Sequence, residues 1–190
     1  GLAEEKSGER WYRASWLGVF YDAGSGWIYH GEHGWLYSAE DGAGNYWLYH
    51  ANLGWLWTGS SFYGNAQGHR FLYSKNLDSW MYYVVGAKNF HVYKDSTPIN
   101  HQGTKVARLA VGSSDDAMGV VSGGGYHDVG ATVTLTAVPA EGFKFVEWRS
   151  AARGVLGSGT SIEIQLSEGE EIIGSFAKKT DEDLLKGIFD

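Results

Sequence analysis

Short apolar and aromatic triplets recur along the first half of the chain, separated by polar or glycine-containing loops. Residues 26–37 read GWIYHGEHGWLY, residues 46–57 read YWLYHANLGWLW, and a looser copy spans residues 70–82. Alternate residues of a strand point to opposite faces of a sheet, and a loop of about four or five residues reverses the chain. Each copy is therefore predicted to form a β-hairpin, with the register of its strands left open.

The second half shows another alternation of polar and apolar positions. Residues 132–137 (TVTLTA) and 161–166 (SIEIQL) alternate in steps of two, which is typical of strands with one buried and one solvated face. Residues 143–148 (FKFVEW) supply large apolar side chains. Thr180 followed by Asp183 is a candidate cap for a short helix. The sequence thus predicts a mainly β fold with a short, candidate helical C-terminal tail.

The two halves differ in composition. Eight of nine Trp residues lie between Trp11 and Trp80, and eleven of twelve Tyr residues lie at or before Tyr93. Pro98 and Gly103 are expected to break any strand between the halves. The predicted organisation is an aromatic hairpin-repeat domain over residues 1–95, a linker over 96–103, a second domain over 104–178 and a tail over 179–190.

Charge and composition exclude several classes of function. The chain has no cysteine, which excludes a disulfide framework, a thiolate metal site and a cysteine nucleophile. Its net charge of -7 disfavours nucleic acid as a partner, because counterion release needs clustered Lys and Arg. No apolar run approaches the roughly 20 residues of a membrane span. Since residues 1–10 are polar, we expect either a removed signal peptide or a fragment of a longer chain.

The second half resembles the divergent internalin-type B-repeat family, extracellular bacterial modules with a β-grasp-like sheet. The matching segments are VVSGGGY at 120–126, VGATVTLTAVPAEGF at 129–143, FVEW at 145–148 and GSFAK at 174–178. With the first strand predicted over residues 104–111, the resemblance covers about 75 residues. It implies a small β-grasp-like domain, an extracellular location and a core position for Trp148.

The first half is similar to the aromatic Gly-Trp-x-Tyr repeats of bacterial surface proteins. It is more distantly similar to the hairpin repeats of cell-wall-binding proteins, whose choline-binding members build aromatic cages between hairpins. The spacing in this sequence does not match those cages closely. No binding residue is therefore carried over from that family.

The repeated aromatic residues have two interpretations. They could form stacking platforms for sugars, or Trp27, Trp35, Trp47 and Trp55 could be the core of a small domain with few aliphatic residues. Tyr carries a hydroxyl that favours water, so Tyr is expected to reach the surface more than Trp. The residues predicted to bind a glycan or a neighbouring subunit are Tyr29, Tyr37, Tyr49, Tyr73, Trp35 and Trp55.

Metal binding and catalysis have little support in the sequence. His30 and His33 have a spacing that can bring two imidazoles to one metal, with Glu32 between them, but no recognised ligand set is complete. Residues 115–116 lack the regular oxygen spacing of a calcium loop. We therefore expect no metal and no cofactor. The carboxylates that could serve glycoside cleavage are expected at turns; they are Asp22, Glu32, Glu40 and Asp41.

These observations favour a non-catalytic, secreted or cell-surface bacterial protein whose aromatic repeats bind a polysaccharide or cell-wall glycan, with adhesion as one role. An alternative is a structural subunit of an extracellular filament or surface assembly, in which the aromatic repeats and strand edges contact other copies. A minor alternative is a fragment of a polysaccharide hydrolase. The sequence does not separate the first two.

Overall fold

A computed structural model describes residues 2, 5–6, 9–64 and 68–183. The described residues form two compact units, Gly1–Lys105 and Val106–Asp190, and almost all regular structure in them is β. The prediction of a mainly β fold is confirmed. Among the described residues, no helix is long and apolar enough to cross a membrane.

The first unit is one antiparallel sheet in which every strand pairs with the next strand along the chain. A 3₁₀ turn, Val85–Ala87, joins the ninth and tenth strands. In the described part of this unit the strands are β1 (Glu5–Lys6), β2 (Trp11–Ala14), β3 (Gly18–Gly24), β4 (Trp27–His30), β5 (Gly34–Glu40), β6 (Tyr46–His50), β7 (Gly54–Thr58), β8 (Phe71–Ser74), β9 (Ser79–Val84), β10 (Asn89–Val92) and β11 (Thr97–Ile99).

The loops of the two clearest predicted hairpins have the same length and the same capping residues. Pairing of His30 with Gly34, and of His50 with Gly54, closes three-residue loops. Gly34 and Gly54 have φ values of 70° and 73°, a left-handed conformation that glycine adopts without strain. The histidine before each loop caps it, as when Nδ1 of His50 accepts the backbone N–H of Asn52 at 3.2 Å. The repeat in sequence is thus a repeat of capped turns.

The core of the first unit lies on one face of the sheet. The middle residues of the triplets, such as Ile28, Leu36, Leu48 and Leu56, are all buried there. The sheet curls so that strands distant in sequence meet across this face. Trp16, in the loop after β2, stacks on Tyr46 of β6 with ring centroids 5.7 Å apart. A curled sheet therefore encloses its own core.

The linker predicted for residues 96–103 is wrong. Residues Thr97–Ile99 form β11, which pairs with β10 at the edge of the sheet. Pro98 is tolerated because an edge strand has an unpaired side, on which a missing N–H costs nothing. The side chain of Asn100 then accepts the N–H groups of Gln102 and Thr104 and closes a turn. These residues belong to the first unit.

The second unit contains a five-stranded and a three-stranded sheet. The orders are β14-β12-β19-β16-β17 and β13-β15-β18, and β12 and β19 are parallel. The strands are β12 (Val106–Ser113), β13 (Gly119–Ser122), β14 (Gly125–Asp128), β15 (Thr132–Pro139), β16 (Phe143–Ser150), β17 (Gly154–Gly157), β18 (Ser161–Gln165) and β19 (Glu170–Lys178).

Trp148 lies at the centre of the second unit's core. It is 0% exposed, and its Nε1 donates a hydrogen bond to the Gly159 carbonyl at 3.0 Å. Its cross-strand neighbour is Gly174, where an added Cβ would lie 2.8 Å from Val121 Cγ1 and 3.1 Å from the indole. Glycine at 174 therefore leaves the space that the indole fills. The prediction of Trp148 as a core residue is confirmed.

The chain reaches a short helical turn after β19. Residues 181–183 are helical, and the Thr180 hydroxyl accepts the N–H of Asp183 at 3.3 Å, so the predicted cap is present. The Asp183 carboxylate accepts the Thr180 N–H and pairs with Lys144 at 2.7 Å. The rest of the predicted tail, residues 184–190, lies outside the described residues.

Candidate functional site

The Trp and Tyr residues of the triplets point away from the core of the first unit. Trp35 is 52% exposed and Trp27 is 41% exposed, while Trp47 and Trp55 are half-buried on the same side. The interpretation of these four residues as the core is therefore wrong. The aliphatic residue between two aromatic residues takes the inward position, and strand alternation turns its neighbours outward.

The register of the sheet aligns these outward aromatic residues into rows that cross the strands. Each row contains one residue from each of four consecutive strands, and successive rows are offset by two strands. The rows are Trp11–Tyr21–Tyr29–Trp35, Trp27–Tyr37–Tyr49–Trp55 and Trp47–Trp57–Tyr73–Trp80. We call these twelve residues the aromatic face.

Ring contacts fix the orientation of the side chains on the aromatic face. Tyr29 and Trp35 meet edge to face with centroids 5.4 Å apart, and Tyr49 meets Trp55 in the same way at 5.3 Å. Such pairs contribute about 0.5–1.5 kcal/mol beyond the burial of their area. The rings are therefore held in place before any ligand arrives.

The third row borders a groove of about 690 Å³. Phe62, from the loop after β7, packs on Trp80 with centroids 5.2 Å apart and forms one wall. Tyr73 lines the same groove, and its hydroxyl donates a short hydrogen bond to the Asp78 carboxylate. The full lining is Phe62, Phe71, Tyr73, Asp78, Ser79, Trp80, Tyr93 and Lys94. The groove is an aromatic cleft with one carboxylate and one ammonium group.

All six residues predicted to bind a ligand lie on the aromatic face, but only Tyr73 lines the groove. Tyr29, at 39% exposure, is less exposed than its neighbour Trp35. The prediction missed Phe71 and Trp80, although both occupy outward positions of the loose third copy. Phe62 lies between copies, where no periodicity indicated it.

An acidic loop supports one edge of the aromatic face. The Trp57 indole donates a hydrogen bond to Asp41 at 2.9 Å, and the N–H groups of Ala43 and Asn45 donate to the same carboxylate. The indole hydrogen bond, with these backbone donors, lowers the pKa of Asp41 to about 2. Asp41 thus stays ionised and holds the orientation of Trp57.

The core face of the first unit contains a cluster of four imidazoles, which we call the histidine cluster: His30, His33, His50 and His101. His33 stacks on His30 with centroids 5.0 Å apart, and its Nδ1 lies 3.1 Å from Nε2 of His101. His101 lies 6.0 Å from His50 by ring centroids. His33 also stacks on Phe90 of β10. The cluster therefore joins early strands of the sheet to late ones.

Burial controls the charge of the histidine cluster. Desolvation lowers the pKa of His30, His50 and His101. The pKa of His33 is lowered well below its ordinary value by desolvation, to which the neighbouring histidines and Arg70 add. All four imidazoles are therefore neutral at pH 7. Nε2 of His30, 2.9 Å from the Leu17 carbonyl, then carries the proton, and Nδ1 accepts the Glu32 N–H.

His30, Glu32 and His33 place three potential ligand atoms within 4.8 Å of one another. Each of these groups is already engaged. The Glu32 carboxylate pairs with Arg70 at 2.8 Å, and Nε2 of His33 lies 2.6 Å from the Tyr63 hydroxyl. The guanidinium of Arg70 occupies the place where a cation would offset the charge of Glu32.

Comparison with known proteins identifies the second unit. Residues 109–180 match the family model described as a divergent InlB B-repeat domain. We therefore refer to the second unit as the B-repeat domain. No curated protein and no solved structure matches the chain. The internalin-type resemblance seen in the sequence of the second half is confirmed.

Proposed function

We propose that this is a non-catalytic bacterial surface protein whose first unit binds a polysaccharide or cell-wall glycan through the aromatic face. The B-repeat family points to a surface protein and supports this location. The aromatic rows support the binding role. Adhesion to a glycan-covered surface is one activity that such a protein would provide.

The aligned rows of rings on the solvent side of the sheet carry this proposal. Sugar rings present flat C–H faces that pack on aromatic rings, while their hydroxyl groups need nearby polar partners. The hydroxyls of Tyr29, Tyr37 and Tyr49 make no hydrogen bond to the described part of the chain, so they are free to bind sugar hydroxyls. Contiguous exposed apolar surfaces of this kind mark binding sites in soluble proteins.

Three of the four carboxylates considered for glycoside cleavage have structural partners, which supports a non-catalytic role. Glu32 pairs with Arg70, and Asp41 accepts hydrogen bonds from Trp57 and two backbone N–H groups. Asp22 accepts the N–H of Gly24 at 2.8 Å within β3. These interactions hold the acids as loop and strand supports.

The alternative, self-assembly, is favoured by a separate feature of the B-repeat domain. Val120 and Val138 are cross-strand partners and are 60% and 57% exposed. Val120 belongs to β13, at the edge of the three-stranded sheet, where backbone groups are open to a further strand. Size-exclusion chromatography over a wide concentration range tests this alternative, and growth of the particle with concentration would support it.

Affinity electrophoresis of the full chain in gels containing single polysaccharides tests the proposed function. We expect retardation by at least one polymer, and Trp80→Ala should weaken it by about tenfold, equivalent to about 1.4 kcal/mol. Tyr126→Ala is the matched control, because Tyr126 is an exposed aromatic residue of the B-repeat domain. Equal retardation of wild type and Trp80→Ala, with loss in the control, would contradict the proposal.

A further inference from the structure

The aromatic face lacks charged side chains over most of its width. The outward positions of β4–β9 are Trp, Tyr, Phe, Ala or Val, and none of these described positions is Asp, Glu, Lys or Arg. At the groove, Asp78 and Lys94 contribute one charge of each sign. Arg13, on β2, lies beyond the strands of this uncharged region. At the edges of the face, Asp41 accepts the Trp57 indole hydrogen bond and the Arg10 guanidinium lies over the Tyr21 ring. The charges around the described part of the face are thus few and of both signs, and they form no row that an ionic polymer could follow.

An anionic polymer would be poorly accommodated on such a surface. The faces of aromatic rings carry partial negative charge, so a carboxylate or sulfate laid on them is repelled. Moving an ion against apolar surface also removes hydration that no side chain here replaces. A polycation would benefit from the ring faces but would find no carboxylate along β4–β9 to pair with. An uncharged polymer avoids both costs.

The rows also give the direction in which a chain would lie. Neighbouring strands are about 4.8 Å apart, so a row of four residues spans about 14 Å. That length exceeds one sugar ring and fits a short oligosaccharide. Consecutive rows overlap on two strands, first on β4 and β5 and then on β6 and β7. A ligand crossing the strands can therefore continue from one row to the next.

We infer that the ligand of the aromatic face is an uncharged, linear polysaccharide that lies across the strands and contacts several rings of one row at once. This inference rests on the proposed function and specifies its substrate class. The groove beside Trp80 takes one part of the same chain, where the carboxylate of Asp78 and the ammonium of Lys94 reach sugar hydroxyls.

Matched pairs of polymers test the charge of the ligand, with the full chain titrated against each member. The pairs are hydroxyethylcellulose with carboxymethylcellulose, chitooligosaccharides with their deacetylated forms, and mannan with alginate. We expect at least one neutral member to bind about tenfold tighter than its charged counterpart. Binding should change less than about twofold between 0.05 and 0.5 M NaCl, because screening acts only on charges.

Oligosaccharides of increasing length from the best neutral polymer test the orientation. Affinity should rise with length until the oligosaccharide covers a row. Trp55→Ala, in the second row, should reduce this gain in affinity with length. The control Tyr126→Ala should leave the gain unchanged. Tighter binding of the charged members, or affinity already complete with a monosaccharide, would overturn the inference and leave the proposed function standing. Absence of binding to every polysaccharide would overturn the proposed function and the inference together.

Discussion

Tryptophan is a core residue at one position of this chain and a surface residue at others, depending on which face of its strand it occupies. Trp148 is fully buried in the B-repeat domain, whereas Trp35 is 52% exposed on the aromatic face. Trp148 faces Gly174 across the sheet and packs between the two sheets' apolar faces. Trp35 has the aliphatic Leu36 beside it, which takes the inward position.

We therefore predict that Trp148→Ala lowers the free energy of unfolding of the B-repeat domain by about 3–5 kcal/mol, because a large cavity replaces the indole. Trp35→Ala, in the first unit, is the comparison variant and should cost less, because about half of the side chain is already exposed and its main ring contact is with Tyr29 alone. Both values are measurable by urea denaturation. An unchanged denaturation midpoint for Trp148→Ala would remove it from the core.

Tyr residues of the rows should affect binding more than folding. Tyr29→Ala, Tyr49→Ala and Tyr73→Ala should each weaken retardation by the polysaccharide, because each removes a ring and a hydroxyl from the solvent side of the sheet. Tyr→Phe at the same positions keeps the ring and separates the two contributions. If the Ala variants instead unfold the first unit without a selective loss of binding, these residues are structural.

The residue types alone did not decide which side of the sheet is buried. The triplets WIY, WLY and WLW place one aliphatic residue between two larger aromatic ones, and large aromatic residues are common in small cores. The loops indicate which side of the sheet is buried. His30 and His50 share the inward parity of Ile28 and Leu48, and from that position each accepts a loop N–H group.

At the scale of elements, the hairpins were predictable and their assembly was not. A hairpin depends on a triplet, a capped loop and a glycine within a few residues. The curl of the sheet depends on contacts between distant segments, such as His33 with His101, which are 68 residues apart in sequence. The sequence analysis did not predict the strand β11, because Pro98 locally disfavours a strand. Pairing with β10 outweighs that local preference.

The histidine cluster predicts a pH-dependent stability of the first unit. The lowered pKa values mean that the unfolded state binds more protons than the folded state below about pH 6.5. The stability is therefore complete above that pH and falls as the pH decreases from 6.5. Thermal unfolding followed by Trp fluorescence should show a melting temperature several degrees lower at pH 5 than at pH 7.

The variant His50→Asn should reduce this pH dependence, because the amide oxygen can still accept the loop N–H groups but cannot be protonated. His127→Asn, in the B-repeat domain, is the matched control and should leave the slope unchanged. A melting temperature of the first unit that is equal at pH 5 and pH 7 would contradict the role assigned to the cluster.

Removal of metal ions should have no effect on the first unit. Arg70 already pairs with Glu32, and the ring nitrogens of His30 and His33 have hydrogen-bond partners. Dialysis against EDTA should leave the melting temperature and polysaccharide binding unchanged. A fall of several degrees that one added cation reverses would show that His30, Glu32 and His33 hold a metal.

At the scale of the whole molecule, the two units are predicted to fold separately. The division lies at residues 105 and 106, and each unit has its own core. A fragment of residues 1–105 should retain β11 and His101 and bind the polysaccharide, while residues 106–190 should fold and not bind. Circular dichroism melting of both fragments checks this prediction, and failure of either to fold cooperatively would contradict it.

The composition of the halves indicated two units, and the B-repeat segments indicated the second fold directly, because a matching family exists. The groove could not be predicted, because it needs Phe62 from an irregular loop, Tyr73 from β8 and Lys94 after β10. The pairing of consecutive strands from β7 to β10 brings these segments together.

Hydroxyl-radical footprinting of the full chain, with and without saturating polysaccharide, tests whether the aromatic face is the recognition surface. We expect bound polymer to protect peptides containing Trp35, Trp55 and Trp80, while labelling at Tyr126 of the B-repeat domain stays unchanged. Protection confined to the B-repeat domain, with the rows labelled as in the free protein, would contradict it.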